Sequence, residues 1–149
     1  MTSKTVANSS SCPLCTDVGG VLVYQAQHFR VIQADEADFP AFYRVVWNRH
    51  IAEFSDLSPS DQAGCMRAVA TVEQVLRQQL QPTKVNLAAL GNAVPHLHWH
   101  VIARFDWDSH FPASVWAAPQ RPVNREKLLA IGRRSAEMNR IMAVQLAIG

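Results

Sequence analysis

Apolar and polar positions alternate through His96-Leu97-His98-Trp99-His100-Val101, the period of two that belongs to a half-buried β-strand. Residues two apart on a strand share a face, so the three imidazoles line one side while Leu97, Trp99 and Val101 pack on the other. Upstream, the Gly19-Gly20 turn introduces two short apolar runs, 21–24 and 29–32, that predict a hairpin. An acidic, proline-containing loop over 33–40 separates them from a third strand at 43–47. Ser58-Pro59-Ser60-Asp61 predicts a helix start: Ser58 caps, Pro59 suits the first helical position, and Asp61 completes a capping-box-like pair. The helix should run to about residue 81, before Pro82, with Met66, Val69, Ala70, Val72, Leu76 and Leu80 at near-helical spacing. A fourth strand over 85–89 and a tight turn at Gly91-Asn92 lead into the histidine strand. A loop rich in Asp, Pro and Trp covers 106–122, and a last helix begins near Asn124. Short antiparallel strands with helices to the side predict an α+β fold: a sheet of about five strands, a long helix packed beside it, and a C-terminal helix.

Length and charge narrow the class. The chain has 149 residues, 48% hydrophobic and 17% charged, as expected of one globular domain over 12–149 behind a polar, flexible tail at 1–11. A net charge of +2 is too small to make nucleic acid or an anionic membrane the expected partner. No apolar run reaches the ~18 residues that a membrane span needs, and the N-terminus lacks the apolar stretch of a secretory signal. Three cysteines make a disulfide framework unexpected, so reduced thiols and a cytoplasmic location are the expectation.

Three of the six histidines fall within five residues. Imidazole ionises near neutrality and can serve as nucleophile, acid, base or metal ligand. A phosphate ester or anhydride needs a nucleophile, neutralisation of its oxygens, and a proton for the leaving group. Histidines on one strand face can supply all three. His98, flanked on both sides, is the natural nucleophile, able to form a covalent intermediate that splits one hard displacement into two. It attacks only through an unprotonated nitrogen, so its other nitrogen must donate to a fixed acceptor, with a backbone carbonyl expected. His100 would contact and orient the phosphate oxygens.

The run from His96 to Ile102 resembles the motif of the histidine triad (HIT) family. The Cys12-Pro13-Leu14-Cys15 pair is similar to one found in many members, and the segment Val45-Val46-Trp47-Asn48-Arg49-His50 looks like the family's strand ending in histidine. The resemblance spans roughly 12–104. It implies that His98 attacks the α-phosphorus of a nucleoside phosphoramidate or dinucleoside polyphosphate, and that water then releases a nucleoside monophosphate from a nucleotidyl-histidine. His96 and His100 complete the catalytic set. Retention of His100, where a transferase branch has glutamine, favours hydrolysis. The resemblance also places Asp35 at ribose hydroxyls, Asn86 and Asn92 near phosphate, and Gly91 where backbone approaches the ligand. It implies a homodimer with sheets joined across the interface. Three features depart from the family pattern: Ala93 where some members have Ser or Thr, Ala103 where proline is common, and a short loop between Asn86 and His96. They bear on the leaving group rather than on attack by His98.

In members with the early cysteine pair, zinc is held by that pair, the histidine at the end of the strand and the first triad histidine. The resemblance therefore implies a structural Zn2+ site of Cys12, Cys15, His50 and His96. A closed four-ligand site would pin the N-terminal segment to the triad strand and leave no position for activating water. The alternatives for the cysteines are a redox pair or buried thiols. Asp35, Asn86 and Asn92 also have a plain reading as turn residues. His28 and His110 read as surface histidines, Cys65 as a helix-face core residue, and Arg133-Arg134 as a solvated helix face. Trp107 and Trp116 suit base stacking or a core or dimer contact equally. Beside the hydrolase stand two other readings: a nucleotide-binding regulatory module with little turnover, and a metal-binding protein that uses His98 and His100 as ligands.

Overall fold

The computed structural model describes residues 9–149. Of the expected N-terminal tail, positions 1–8 lie outside the described residues, and Ser9–Ser11 form one 3-10 turn leading into Cys12. Among the described residues five strands make one antiparallel sheet: β1 (Val21–Gln25), β2 (Phe29–Gln33), β3 (Phe42–Trp47), β4 (Lys84–Ala88) and β5 (His98–Arg104), in the order β1-β2-β3-β5-β4. Four helices accompany it: α1 (Pro13–Thr16), α2 (Pro59–Leu80), α3 (Arg125–Gly132) and α4 (Ser135–Ile148). The architecture is the α+β arrangement that the periodicities predict. Among the described residues no helix is long and apolar enough to cross a membrane.

Register sorts the side chains. Tyr43 pairs with Val101, Val45 with Trp99 and with Val31, and Val85 with Ala103. These residues share one face, and α2 and α4 bury it beneath Val69, Val72, Leu76, Met138 and Met142. The opposite face carries His98 beside Val46, and His100 between Arg44 and Ala88. It is covered more thinly: Cys12 and Leu14 pack on Ile32 and Val46, while Ala34 and Phe39 pack on Phe42 and Ile102. Cover on both faces explains why five of the six residues of β3 are buried, although one face carries polar chemistry.

α2 begins as its sequence dictates. Ser58 Oγ accepts from the Asp61 N–H at 3.2 Å, and Pro59 takes the first turn. The helix ends at Gln81, whose left-handed φ of 49° closes the last turn onto the Arg77 carbonyl before Pro82. Its buried stripe is Cys65, Ala68, Val69, Val72, Val75 and Leu76. This corrects part of the expected stripe: Ala70 is exposed, and Met66 and Leu80 are only half-buried. Ala70 sits about 100° around the helix from Val69, enough to turn it off the sheet.

The single C-terminal helix expected from Asn124 is two helices. Asn124 caps α3 by accepting from the Lys127 N–H, and the chain then breaks at Arg133-Arg134. Arg134 is not simply solvated: its guanidinium donates to the Gln79 carbonyl and, at 3.2 Å, to Gln79 Oε1, clamping the break to the end of α2.

A buried ion pair organises the loop over 106–122. Arg104 grips Asp108 with two bonds, Nε–H to Oδ2 at 2.9 Å and Nη2–H to Oδ1 at 3.0 Å, and both residues are at most 3% exposed. The same guanidinium donates to Asn86 Oδ1 and the Ala113 carbonyl, each at 2.8 Å. The backbone N–H groups of Phe105, His110 and Phe111 also donate to Asp108. Burial alone would raise the Asp108 carboxyl; the Arg104 bonds and the Phe105 and His110 N–H donors overcome that and hold it below its ordinary range. Removing one partner strands the other charge in the interior. Asp108→Ala should therefore lose about 3–5 kcal/mol in urea unfolding, and a loss below about 1 kcal/mol would mean that the pair does not hold the loop.

Candidate functional site

The site is built where β5 begins. Trp47 of β3 donates its N–H to the Leu97 carbonyl at 3.0 Å, and Leu97 donates to the Ile51 carbonyl at 2.7 Å. These bonds extend the β3–β5 pairing backwards past the strand's end and hold His96, which precedes β5 rather than lying in it. The strand face therefore presents His98 and His100, and His96 turns elsewhere.

The hydrogen-bond partners assign the ring tautomers. A carbonyl only accepts, so His98 Nδ1, 2.6 Å from the His96 oxygen, carries the proton, and Nε2 keeps its lone pair. By the same logic His96 Nε2–H donates to the Trp47 oxygen at 2.6 Å, leaving His96 Nδ1 unprotonated. His100 Nδ1 accepts from Arg44 Nε–H at 3.3 Å, which leaves the proton of the neutral His100 ring on Nε2. The His98 and His100 rings meet edge to face, centroids 4.8 Å apart. One thus offers a lone pair and its neighbour an N–H.

Burial, before any charge, disfavours the protonated form of these rings. Burial lowers the His98 pKa, the bond to the His96 carbonyl opposes the shift, and the Arg44 charge lowers it further. His100 is pushed down to about 3 by burial, then by His98 and Arg44. Burial likewise lowers His96.

A cleft of about 500 Å³ opens over His98 and His100, walled by Arg44, Gly91, Asn92 and Trp116. The segment from α1 to Gly19 forms part of its rim. Gly91 has φ of +72°, a left-handed conformation that disfavours other residues, so backbone geometry accounts for this glycine. Two expected contact residues lie elsewhere. Asn86 is bound to Arg104, and Asp35 is exposed in the loop after β2, outside the cleft lining. His110, bonded to Ser109 and edge-on to Phe39, does not line it either. His28 stacks on Trp47 away from the site. The two loop tryptophans divide: Trp107 stacks on Phe105 beneath Lys127, while Trp116 stands 5.0 Å from the His100 ring and 6.4 Å from Phe42. Trp116, one of the two tryptophans for which base stacking was an expectation, lines the cleft, whereas Arg44 is a wall residue that the sequence did not single out for the site's chemistry. The available signal for Arg44 was one cation inside an otherwise apolar strand.

Behind the cleft, Cys12, Cys15, His50 and His96 bring four ligand atoms within 4.8 Å of one another. His96 Nδ1 lies 3.5 Å from Cys12 Sγ, 3.4 Å from Cys15 Sγ and 3.2 Å from His50 Nδ1, and Cys15 Sγ lies 3.2 Å from His50 Nδ1. Tetrahedral zinc, with bonds of about 2.0–2.1 Å to nitrogen and about 2.3 Å to sulfur, would set these edges near ~3.4 Å for N···N and ~3.6 Å for S···N. The donor set fits a tetrahedral metal. The free lone pair on His96 Nδ1, fixed by the bond of Nε2–H to Trp47, is the orientation such a ligand requires. The His96 side chain faces this cluster, and its carbonyl faces His98.

The family model described as HIT domain matches residues 16–107, more than half of the chain. The fold is similar to that of a histidine triad protein from Bradyrhizobium japonicum, at 27% identity and a TM-score of 0.70 over 85% of this chain and 92% of that one. A histidine triad protein from Sinorhizobium meliloti aligns at 27% identity and a TM-score of 0.66, over 87% and 98% of the two chains. A Zn-bound histidine triad family protein from Mycobacterium smegmatis shares the fold at 22% identity and a TM-score of 0.63, over 94% and 98%. No functionally curated protein matches the sequence to a significant degree.

The depressed pKa of His100 has a consequence for stability. Between about pH 6.5 and about pH 3 the unfolded chain binds a proton at this residue that the folded protein does not. Stability is therefore full above pH 6.5 and falls on acidification, by up to about 1.4 kcal/mol per pH unit from this group. His100→Gln should show a shallower fall in urea midpoint between about pH 6.5 and about pH 5 than wild type. Equal slopes would mean that His100 protonates at its ordinary pH in the fold.

Proposed function

The chain belongs to the HIT domain family, and from that premise we propose that it is a nucleotide hydrolase in which His98 attacks an α-phosphorus. The substrate class is nucleoside phosphoramidates or dinucleoside polyphosphates, and the product a nucleoside monophosphate. The observation that carries this reading is the bond of His98 Nδ1–H to the His96 carbonyl, which leaves Nε2 as an unprotonated nucleophile in the cleft.

In the first step the Nε2 lone pair forms a bond to phosphorus, and the bond to the leaving oxygen or nitrogen breaks. The leaving group departs with that electron pair and takes up a proton. The phosphorylated ring is then a cation, and its Nδ1–H bond to the His96 carbonyl becomes charge-assisted, stronger than in the ground state. In the second step water attacks phosphorus, the P–N bond breaks, and its electron pair returns to Nε2. The water proton leaves to solvent, and neutral His98 is restored. The neutral His100 donates Nε2–H to a phosphate oxygen throughout. Trp116 supplies an aromatic wall for the nucleoside.

Cys12, Cys15, His50 and His96 hold one structural Zn2+ in this reading. With four protein ligands such an ion would leave no position for activating water and would fix His96, whose carbonyl aims His98. The chain forms a homodimer, and the free edge of β4 with exposed Leu87 and Leu90 is the surface for joining two sheets.

Monophosphate release from a panel of phosphoramidates and dinucleoside polyphosphates should be abolished by His98→Ala, a loss of at least ~1000-fold for a missing nucleophile. A folded wild type that turns over none of the panel would sink the hydrolase and leave a binding module. Native mass spectrometry should show a dimer with one zinc per chain, lost in Cys15→Ser and kept in His98→Ala. Loss of metal in His98→Ala instead would place the ion on the triad face, and a monomer would refute the joined sheets.

A further inference from the structure

Three arginines stand on the histidine face of the sheet, and register puts them there: Arg30 opposite Val46, Arg44 opposite His100, and Arg104 opposite Lys84. Two are committed to protein partners. Arg30 donates to the carbonyls of Leu14, Asp17 and Val18, and Arg104 is locked to Asp108. Arg44 differs. It is half-buried at the cleft wall, braced over the Phe42 ring at 5.0 Å, and its Nε–H donates to His100. Among the described residues no carboxylate forms an ion pair with it, and Glu36 acts on it only through space. Among the described residues it is the only Lys or Arg in the cleft lining, where Asp17 at the rim would otherwise repel an anion.

Resting on the nucleotide reading above, we propose that Arg44 is the phosphate-binding cation of the cleft, and that its Nε–H simultaneously holds His100 as a donor to the same phosphate. A half-buried guanidinium without a carboxylate keeps strong donors for an incoming anion. With Nε turned to His100, the two terminal amino groups remain for phosphate oxygens, a planar pair that suits a bidentate contact. The neutral histidines supply no positive charge of their own, so Arg44 neutralises the oxygens while His98 attacks. Lysine could supply the charge but not both contacts at once, because it lacks the rigid fork.

The test is calorimetric binding of the four common ribonucleoside monophosphates, each with its parent nucleoside, to wild type, Arg44→Gln and Arg44→Lys. Thermal unfolding serves as the check on folding. Arg44→Gln should weaken the monophosphate by about 10- to 100-fold, the cost of a lost charge-assisted contact, and leave the nucleoside within about 2-fold. Arg44→Lys should recover part of the loss. Unchanged monophosphate binding in Arg44→Gln overturns the proposal, as does an equal loss for monophosphate and nucleoside, which would mark a structural role. A wild type that binds no monophosphate overturns the nucleotide reading itself and this proposal with it. A second measurement needs no variant: long-range 15N spectra of wild-type His100 should show the proton on Nε2. A proton on Nδ1 overturns the positioning role.

Discussion

Pairing of β3 with β5 is the constraint on which the rest of the molecule depends. It places Val46 beside His98 and Arg44 beside His100, while Val45 and Trp99 face the other way into the core. Strand side chains alternate with a period of two, so a slip of one residue would turn both imidazoles under α2 and bring Trp99 and Val101 to the cleft. Trp47 guards against that slip. Its N–H binds the Leu97 carbonyl and its carbonyl takes the His96 Nε2–H, so the chain is locked to β3 just ahead of the strand.

From that lock the site's chemistry follows in sequence. His96, held at Trp47, presents Nδ1 to the cysteine cluster and its carbonyl to His98. One residue thereby joins the donor set that anchors the N-terminal segment to the ring that faces the cleft. The hydrogen-bond partner of each ring, rather than its protonation in solution, decides what it offers. His98 shows a lone pair because it donates to a carbonyl; His100 shows an N–H because it accepts from Arg44.

Polar groups on the histidine face share a second property: nearly all are paired. Arg30 ties down the segment after the cysteine pair, and Arg104 with Asp108 shapes the loop that delivers Trp116. Buried charges cost several kcal/mol when left alone, so these pairs define where the covering segments can run. The apolar face needs no such specification. Valines, leucines and methionines of α2 and α4 fill it by volume and periodicity.

Most of the architecture was legible from local pattern because strand alternation, the Ser58-Pro59 helix start and the Pro82 stop are local effects. The cysteine pair, His50 and the triad were legible as residue types, and folding brought all four expected metal-site ligands together. Three things were not legible. The break between α3 and α4 falls where Arg134 bonds to Gln79, 55 residues away, a contact the sequence pattern does not show. Asn86 reads equally well as a phosphate contact or a turn residue, and the bond that its Oδ1 accepts from Arg104, 18 residues on, has no signal in the sequence. Arg44 looks like any strand arginine until pairing sets it against His100. The sequence by itself determined which residues alternate, where helices begin and which chemical groups are present, since these depend on neighbours in the chain. Tertiary structure alone decided which nitrogen of each histidine is free and which arginine keeps its charge for the cleft, because a tautomer and an ion pair are set by partners that only folding brings within about 3 Å.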